Sequence, residues 1–216
     1  MMCRCLLLLL LVLGIVGGPA RAADPISREQ ALRNLANGEA VVRRAAVIRL
    51  AEIGRGEDAK QLLPRLKDQD LEVRSAAEAA LWAVWSRSGD AKVDALLAQG
   101  TLAMNARQFD LALAAFNEVI RLKPGFAEGW NKRATLYFMA GETRLSMNDC
   151  REVLKRNPSH FGALSGFGLL YLQLEEPQKA LGYFERAYAI NPGMQGAAAN
   201  IEAIRRYMGR RQQRTA

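Results

Sequence analysis

Few residues of this chain have an obvious capacity for chemistry, and their spacing argues against a reaction centre. His160 is the single histidine among 216 residues. One imidazole cannot supply a histidine-built metal site, and no serine–histidine relay can be assembled around it. It follows the turn Asn157-Pro158-Ser159, where Ser159 is the natural cap of a helix about to start. A solvent-exposed turn histidine is therefore expected. Cys150 could act as a nucleophile or redox group only with thiolate character and some exposure. Gly162, Gly166 and Gly168 look like pieces of a phosphate loop, but they lie in an apolar helical stretch rather than after a strand. Acid pairs such as Glu175-Glu176 read as solvated helix ends. The expectation is no catalytic residue, no cofactor and no metal ligand, so a protein that is not an enzyme.

The elements that carry these residues repeat. Lys123-Pro124, Asn157-Pro158 and Asn191-Pro192 stand 34 residues apart. The same offset links Gly100, Ala134 and Gly168, then Ala112, Ser146 and Ala180, then Phe116, Cys150 and Phe184. Leu164, Phe167, Gly168 and Tyr171 form one helical stripe, and Ala180, Leu181, Phe184, Ala187 and Tyr188 form its mate. Pro177 suits the first turn of that second helix, and Pro192 ends it by moving Asn191 off helical angles.

This period and order, with Trp130 and Tyr137 in the middle copy, resemble the tetratricopeptide repeat, a helix–turn–helix unit. The resemblance implies three units, at about residues 93–126, 127–160 and 161–194. Within it Cys150 takes the place of Phe116 and Phe184, pointing into the helix pair. A buried, inert thiol in an under-packed middle repeat is expected, with Cys150→Phe tolerated. The family's first helices line a concave face that holds extended or helical peptides. Carried over, the groove candidates are Leu97, Thr101 and Met104 in the first repeat. Asn131, Thr135, Phe138 and Met139 follow in the second, and Ser165, Leu169 and Leu172 in the third. One branch of the family grips a C-terminal carboxylate with basic and amide side chains. Here most of those places hold Leu97, Thr101, Gly162 and Gly166, with only Asn131 and Lys132 usefully polar, so that activity is not inherited. What remains is a mildly apolar channel.

Upstream, Val42-Arg43-Arg44-Ala45-Ala46 with Leu50 aligns with Val73-Arg74-Ser75-Ala76-Ala77 with Leu81, an offset of 31. These paired alanines and the turn Gly56-Glu57-Asp58-Ala59 resemble the short HEAT-like repeats first described in phycobilin lyases, over residues 27–89. The resemblance implies that Arg43 and Arg74 pair with acids, Asp68 and Asp70 being the candidates. Pro64 is expected to bend its helix. The helix from Asp90 is expected to serve both arrays, giving an all-α, right-handed helical-repeat solenoid. A capping helix over residues 195–208 and a disordered basic tail over 209–216 are expected to close it.

The first residues read as a signal peptide of residues 1–22. Arg4 precedes the eleven-residue apolar run Leu6 to Val16, then Gly17-Gly18-Pro19, then the Ala20-Arg21-Ala22 cleavage site. The run is short against the roughly 20 residues that span a bilayer; an uncleaved anchor is the alternative. Cleavage removes Cys3 and Cys5, leaving Cys150 without a disulfide partner, and lowers the formal charge from +8 to +6. Five of those charges are Arg205, Arg206, Arg210, Arg211 and Arg214, a tail that could touch acidic envelope surfaces or simply aid solubility. Specific nucleic-acid binding is not expected. The functional expectation is an exported, periplasmic or secreted, non-catalytic adaptor that binds a protein or peptide partner. A broad-client holdase and a bilin-lyase-like enzyme subunit are the alternatives.

Overall fold

The computed structural model describes residues 26–215, so the expected signal peptide lies outside the described residues. The described chain is helical, with α1 (Arg28–Asn34), α2 (Ala40–Ile53), α3 (Ala59–Leu62) and α4 (Leu71–Trp85) forming a front unit. Three helix pairs follow: α5 (Ala91–Asn105) with α6 (Phe109–Leu122), α7 (Ala127–Met139) with α8 (Thr143–Arg156), and α9 (Phe161–Gln173) with α10 (Pro177–Ile190). The long α11 (Gln195–Thr215) closes the array. The protein is an all-α helical-repeat solenoid.

Local chemistry sets each boundary. Lys123, Asn157 and Asn191 precede prolines and leave the helical region, at ψ 73°, 86° and 91°, which ends the second helix of each pair. The turn inside each pair needs one residue at positive φ: Arg107 (57°), Gly141 (79°) and Glu175 (56°), again at 34-residue spacing. Only the middle repeat meets that demand with glycine. In the front unit α-helical geometry stops at Leu62, and Pro64 sits in a tighter 3-10 stretch, Leu63–Lys67. Arg43 forms a two-pronged bond to Asp68 at 2.7 and 2.8 Å, as expected. Arg74 instead donates to the Asp68 and Gln69 carbonyls, because Asp70 is engaged as the cap of α4.

The first and third pairs close where a small residue on the first helix admits a ring from the second. A Cβ added at Gly100 would stand 2.6 Å from the Phe116 ring, and one at Gly168 would stand 2.6 Å from the Phe184 ring. The middle pair reverses the sizes, with Ala134 facing the buried Cys150. Burial pushes the Cys150 thiol up to about 12, with the nearby Asp149 adding to the effect, so it is inert at neutral pH.

Two expectations are corrected. The front unit does not continue smoothly into α5, whose core of Val93, Leu97, Met104, Phe116 and Leu136 includes no residue from α1–α4. After Ser86 the chain turns at Gly89 (φ 79°), and the front unit lies against the third repeat, sharing a core with Phe161, Leu164 and Ala187. As a result Leu102 is 71 % exposed, although its counterparts Leu136 and Leu170 are buried against a preceding repeat. The other correction is at the C-terminus, where α11 runs through Gly209 to Thr215 instead of fraying there. Arginine and glutamine are good helix formers and offset the glycine. On α11, Ile201 and Ile204 are buried against Phe184 and Ala180. The next place in the glycine series (Gly100, Ala134, Gly168) falls on Glu202, paired with Arg206 at 3.6 Å, so that face of α11 receives no further ring.

The size change in the middle pair leads to the opposite expectation for Cys150→Phe. A ring seated there as Phe116 is seated would overlap the Ala134 methyl. Cys150→Phe alone should cost about 1–3 kcal/mol in denaturant unfolding. The double variant Ala134→Gly/Cys150→Phe should regain most of that loss, and equal stabilities for the two would refute the size-exchange account.

Candidate functional site

The inner helices α7 and α9 stand side by side, and their exposed sides converge on one cavity of about 240 Å³. Asn131, Thr135 and Phe138 of α7 line it from one side, Ser165 and Leu169 of α9 from the other, and Ser146 and Cys150 of α8 at its base. It opens where Cys150 stands in place of a ring and Asn131 in place of Leu97. No residue that lines it carries a charge. The polar groups are partly committed: Thr135 Oγ1 donates to the Asn131 carbonyl at 3.0 Å, and Ser146 Oγ donates to the Ala134 carbonyl at 2.8 Å.

Five of the ten residues expected in the groove, Asn131, Thr135, Phe138, Ser165 and Leu169, therefore meet at one place. Leu172 lies further along, in a separate cleft beside α11 with Pro177 and Ile204. Met139 is exposed but lines neither. The first repeat departs from expectation: Leu97 and Met104 are buried in the α5–α6–α7 core, and Thr101 returns its hydroxyl to the Leu97 carbonyl at 2.7 Å. Leu97 and Met104 face the packing of their own repeat, because Phe116 and its neighbours draw the apolar side of α5 inward, whereas Thr101 stays half-buried.

His160 is the largest departure. It is fully buried, not exposed in a turn. Its Nδ1 accepts the backbone N–H of Ala163 at 3.0 Å, so His160 rather than Ser159 caps α9. That bond places the proton on Nε2, which donates to Glu128 Oε2 at 3.2 Å. The ring stacks on Trp85 of α4 at 4.7 Å between centroids and meets the edge of Trp82 at 5.4 Å. Trp82 also packs against Gly162, where an added Cβ would meet its ring at 2.4 Å. The front unit thus seats two tryptophans over the start of α9 and bounds one end of the inner face.

Glu128 is 1 % exposed and drew no attention in the sequence, since an acid in a helix's first turn is ordinary on the surface. Burial by itself raises its carboxyl. The hydrogen bond from His160, with Lys132 at 3.4 Å and the Asn131 amide, outweighs burial and holds it below the usual carboxylate range. The signal that could have found the pair is the 32-residue separation of Glu128 and His160, nearly one repeat.

Stacked antiparallel helix pairs on a 34-residue period, with an open inner face, define a helical-repeat scaffold. The tetratricopeptide repeat profile matches residues 97–144 and 148–194. A TPR repeat-containing protein of Rhizobium etli is 34% identical over 145 residues, covering 67% of this chain and 71% of the relative. The chain belongs to the tetratricopeptide repeat family. Among solved structures, the Sgt2 TPR domain from Aspergillus fumigatus aligns with TM-score 0.54 at 18% identity, covering 57% of this chain and 83% of that one. The first TPR of Spaghetti (RPAP3), bound to an HSP90 peptide, gives 0.52 at 20% identity, covering 55% and 94%. At these identities the structures show a shared fold.

A carboxylate held below its ordinary value in the folded state stabilises that state above about pH 4.3, and the contribution is lost as pH falls further. Glu128→Gln should lower stability at pH 7 by about 1–3 kcal/mol. Unfolding curves for the two proteins should converge as pH falls below about 4.3. A difference that stays constant over that range would show that the charge of Glu128 is not what is stabilised.

Proposed function

We propose that this protein is a non-catalytic adaptor that holds a segment of a partner protein along the inner helices α7 and α9. The observation that carries the reading is the uncharged cavity shared by those helices, open to solvent and bordered by Phe138 and Leu169. The absence of charge in its lining separates it from sites that grip acidic C-termini. The structural neighbour bound to the HSP90 peptide SRMEEVD shows that this fold can hold a peptide. In this reading residues 1–22 direct export, supported by their basic start, apolar run and Ala-x-Ala site. The adaptor therefore works outside the cytoplasm. The front unit is read as a HEAT-like pair, supported by the burial of Ala46 and Ala77 where α2 packs on α4.

A photoreactive amino acid at position 138, irradiated in intact cells, should give discrete adducts that a probe at the exposed Val41 of α2 does not. Leu169→Ala should weaken capture from position 138 by about tenfold, the effect of losing one interface anchor. Identical adducts from both probe positions would remove support for a specific groove.

A further inference from the structure

We infer that the cavity between α7, α8 and α9 is an anchor pocket for one aromatic side chain of the bound segment. This rests on the groove reading and adds the chemistry of what enters. In the first and third repeats the space between the paired helices is filled from within, by Phe116 and Phe184. In the middle repeat Cys150 is too short to do so, and Ala134 blocks a ring rooted on α8 from taking the same seat. The vacancy stays open toward the groove, because the neighbouring helix presents Gly166 opposite Cys150 there. Its volume of about 240 Å³ lies below the range of pockets that enclose whole small ligands, roughly 300–1,000 Å³. It suits a single side chain. The uncharged lining excludes an ionised one, since a charge buried without a partner is strongly unfavourable. Thr135 and Ser165 at the sides stand where an extended backbone would pass.

The occupant is therefore an extended peptide that inserts a ring into the open space beside Ala134 and Cys150, entering from the groove rather than from α8. Leu169 forms an exposed edge of the pocket, 37 % exposed, and would pack against that ring.

Three capped heptapeptides, Gly-Ser-Ser-X-Ser-Ser-Gly with X as Phe, Leu or Asp, test this against the full chain. The readout is methyl NMR of Ala134, Ala163, Leu169 and Met194. The Phe peptide should shift these methyls and bind about tenfold more tightly than the Asp peptide, with Leu between them. Ala134→Gly/Cys150→Phe fills the pocket from within and should abolish the shifts. Gly166→Ala is the safer second variant, because its new methyl would sit 3.6 Å from Cys150 Sγ, an ordinary contact, and should weaken the Phe peptide several-fold. Equal binding of all three peptides, or Phe binding unchanged in both variants, would overturn the proposal. Capture from position 138 that persists undiminished in the filled variant would reject the anchor pocket while sparing the groove. No capture from the unmodified pocket would reject both.

Discussion

The contact on which the molecule depends is the close approach of two helices at one small residue. Gly100 and Gly168 let Phe116 and Phe184 lie against bare backbone, and those rings fix how each pair stands. The spacing of the pairs then follows from the prolines that end them. Because interiors are packed to near-crystalline density, a change at one side of such a contact must be matched at the other. Ala134 and Cys150 are that matched change. The same pair of residues packs the middle repeat and leaves the vacancy on its inner face, so a packing constraint and the proposed anchor pocket share two residues.

The front unit imposes a second constraint. Trp82 and Trp85 on α4 bring a large apolar surface to the start of α9, and everything there is arranged to accept it: Gly162 yields room, Phe161 packs, His160 stacks. Burying His160 requires partners for both ring nitrogens, and they are found in the α9 backbone and Glu128. One tautomer satisfies both, so the polar pair fixes the register between α7 and α9 while the tryptophans fix the front unit. The cost of a buried acid is thereby met by one histidine, one lysine and one amide. With the front unit committed to the third repeat, the outer side of α5 is left with Leu102 uncovered.

Much of this was legible in the sequence, and the limits have physical causes. The helix pairs, their boundaries at Lys123, Asn157 and Asn191, and the Arg43–Asp68 pair depend on local geometry or on the repeat period, both of which a single sequence displays. Five of the ten positions expected in the groove line one cavity, where the same period brings them together. Leu97 and Met104 depart from the groove expectation because equal positions in a repeat need not be equally exposed: a leucine beside Phe116 is drawn into the core, whereas its counterpart Asn131 is not. His160 could not be placed, since its burial is decided by α4, about 75 residues earlier. No periodicity links those two segments. The extension of α11 through Gly209 reflects a different limit, as one glycine is a weak stop signal among strong helix formers.

Charge and size together decide how the inner face can recognise anything. Its one buried acid is neutralised in place, and the cavity lining has no charge, so long-range steering contributes little and discrimination must come from fit. Burying one phenylalanine side chain is worth about 1.5–3 kcal/mol. That is enough to choose between side chains and too little to hold a partner, since association must first overcome several kcal/mol of lost translational and rotational freedom. The remainder has to come from backbone and side-chain contacts along α7 and α9, past Thr135, Ser165 and Leu169. The proposed anchor pocket therefore calls for a partner that presents a length of extended chain with one ring at a set position rather than a compact ligand.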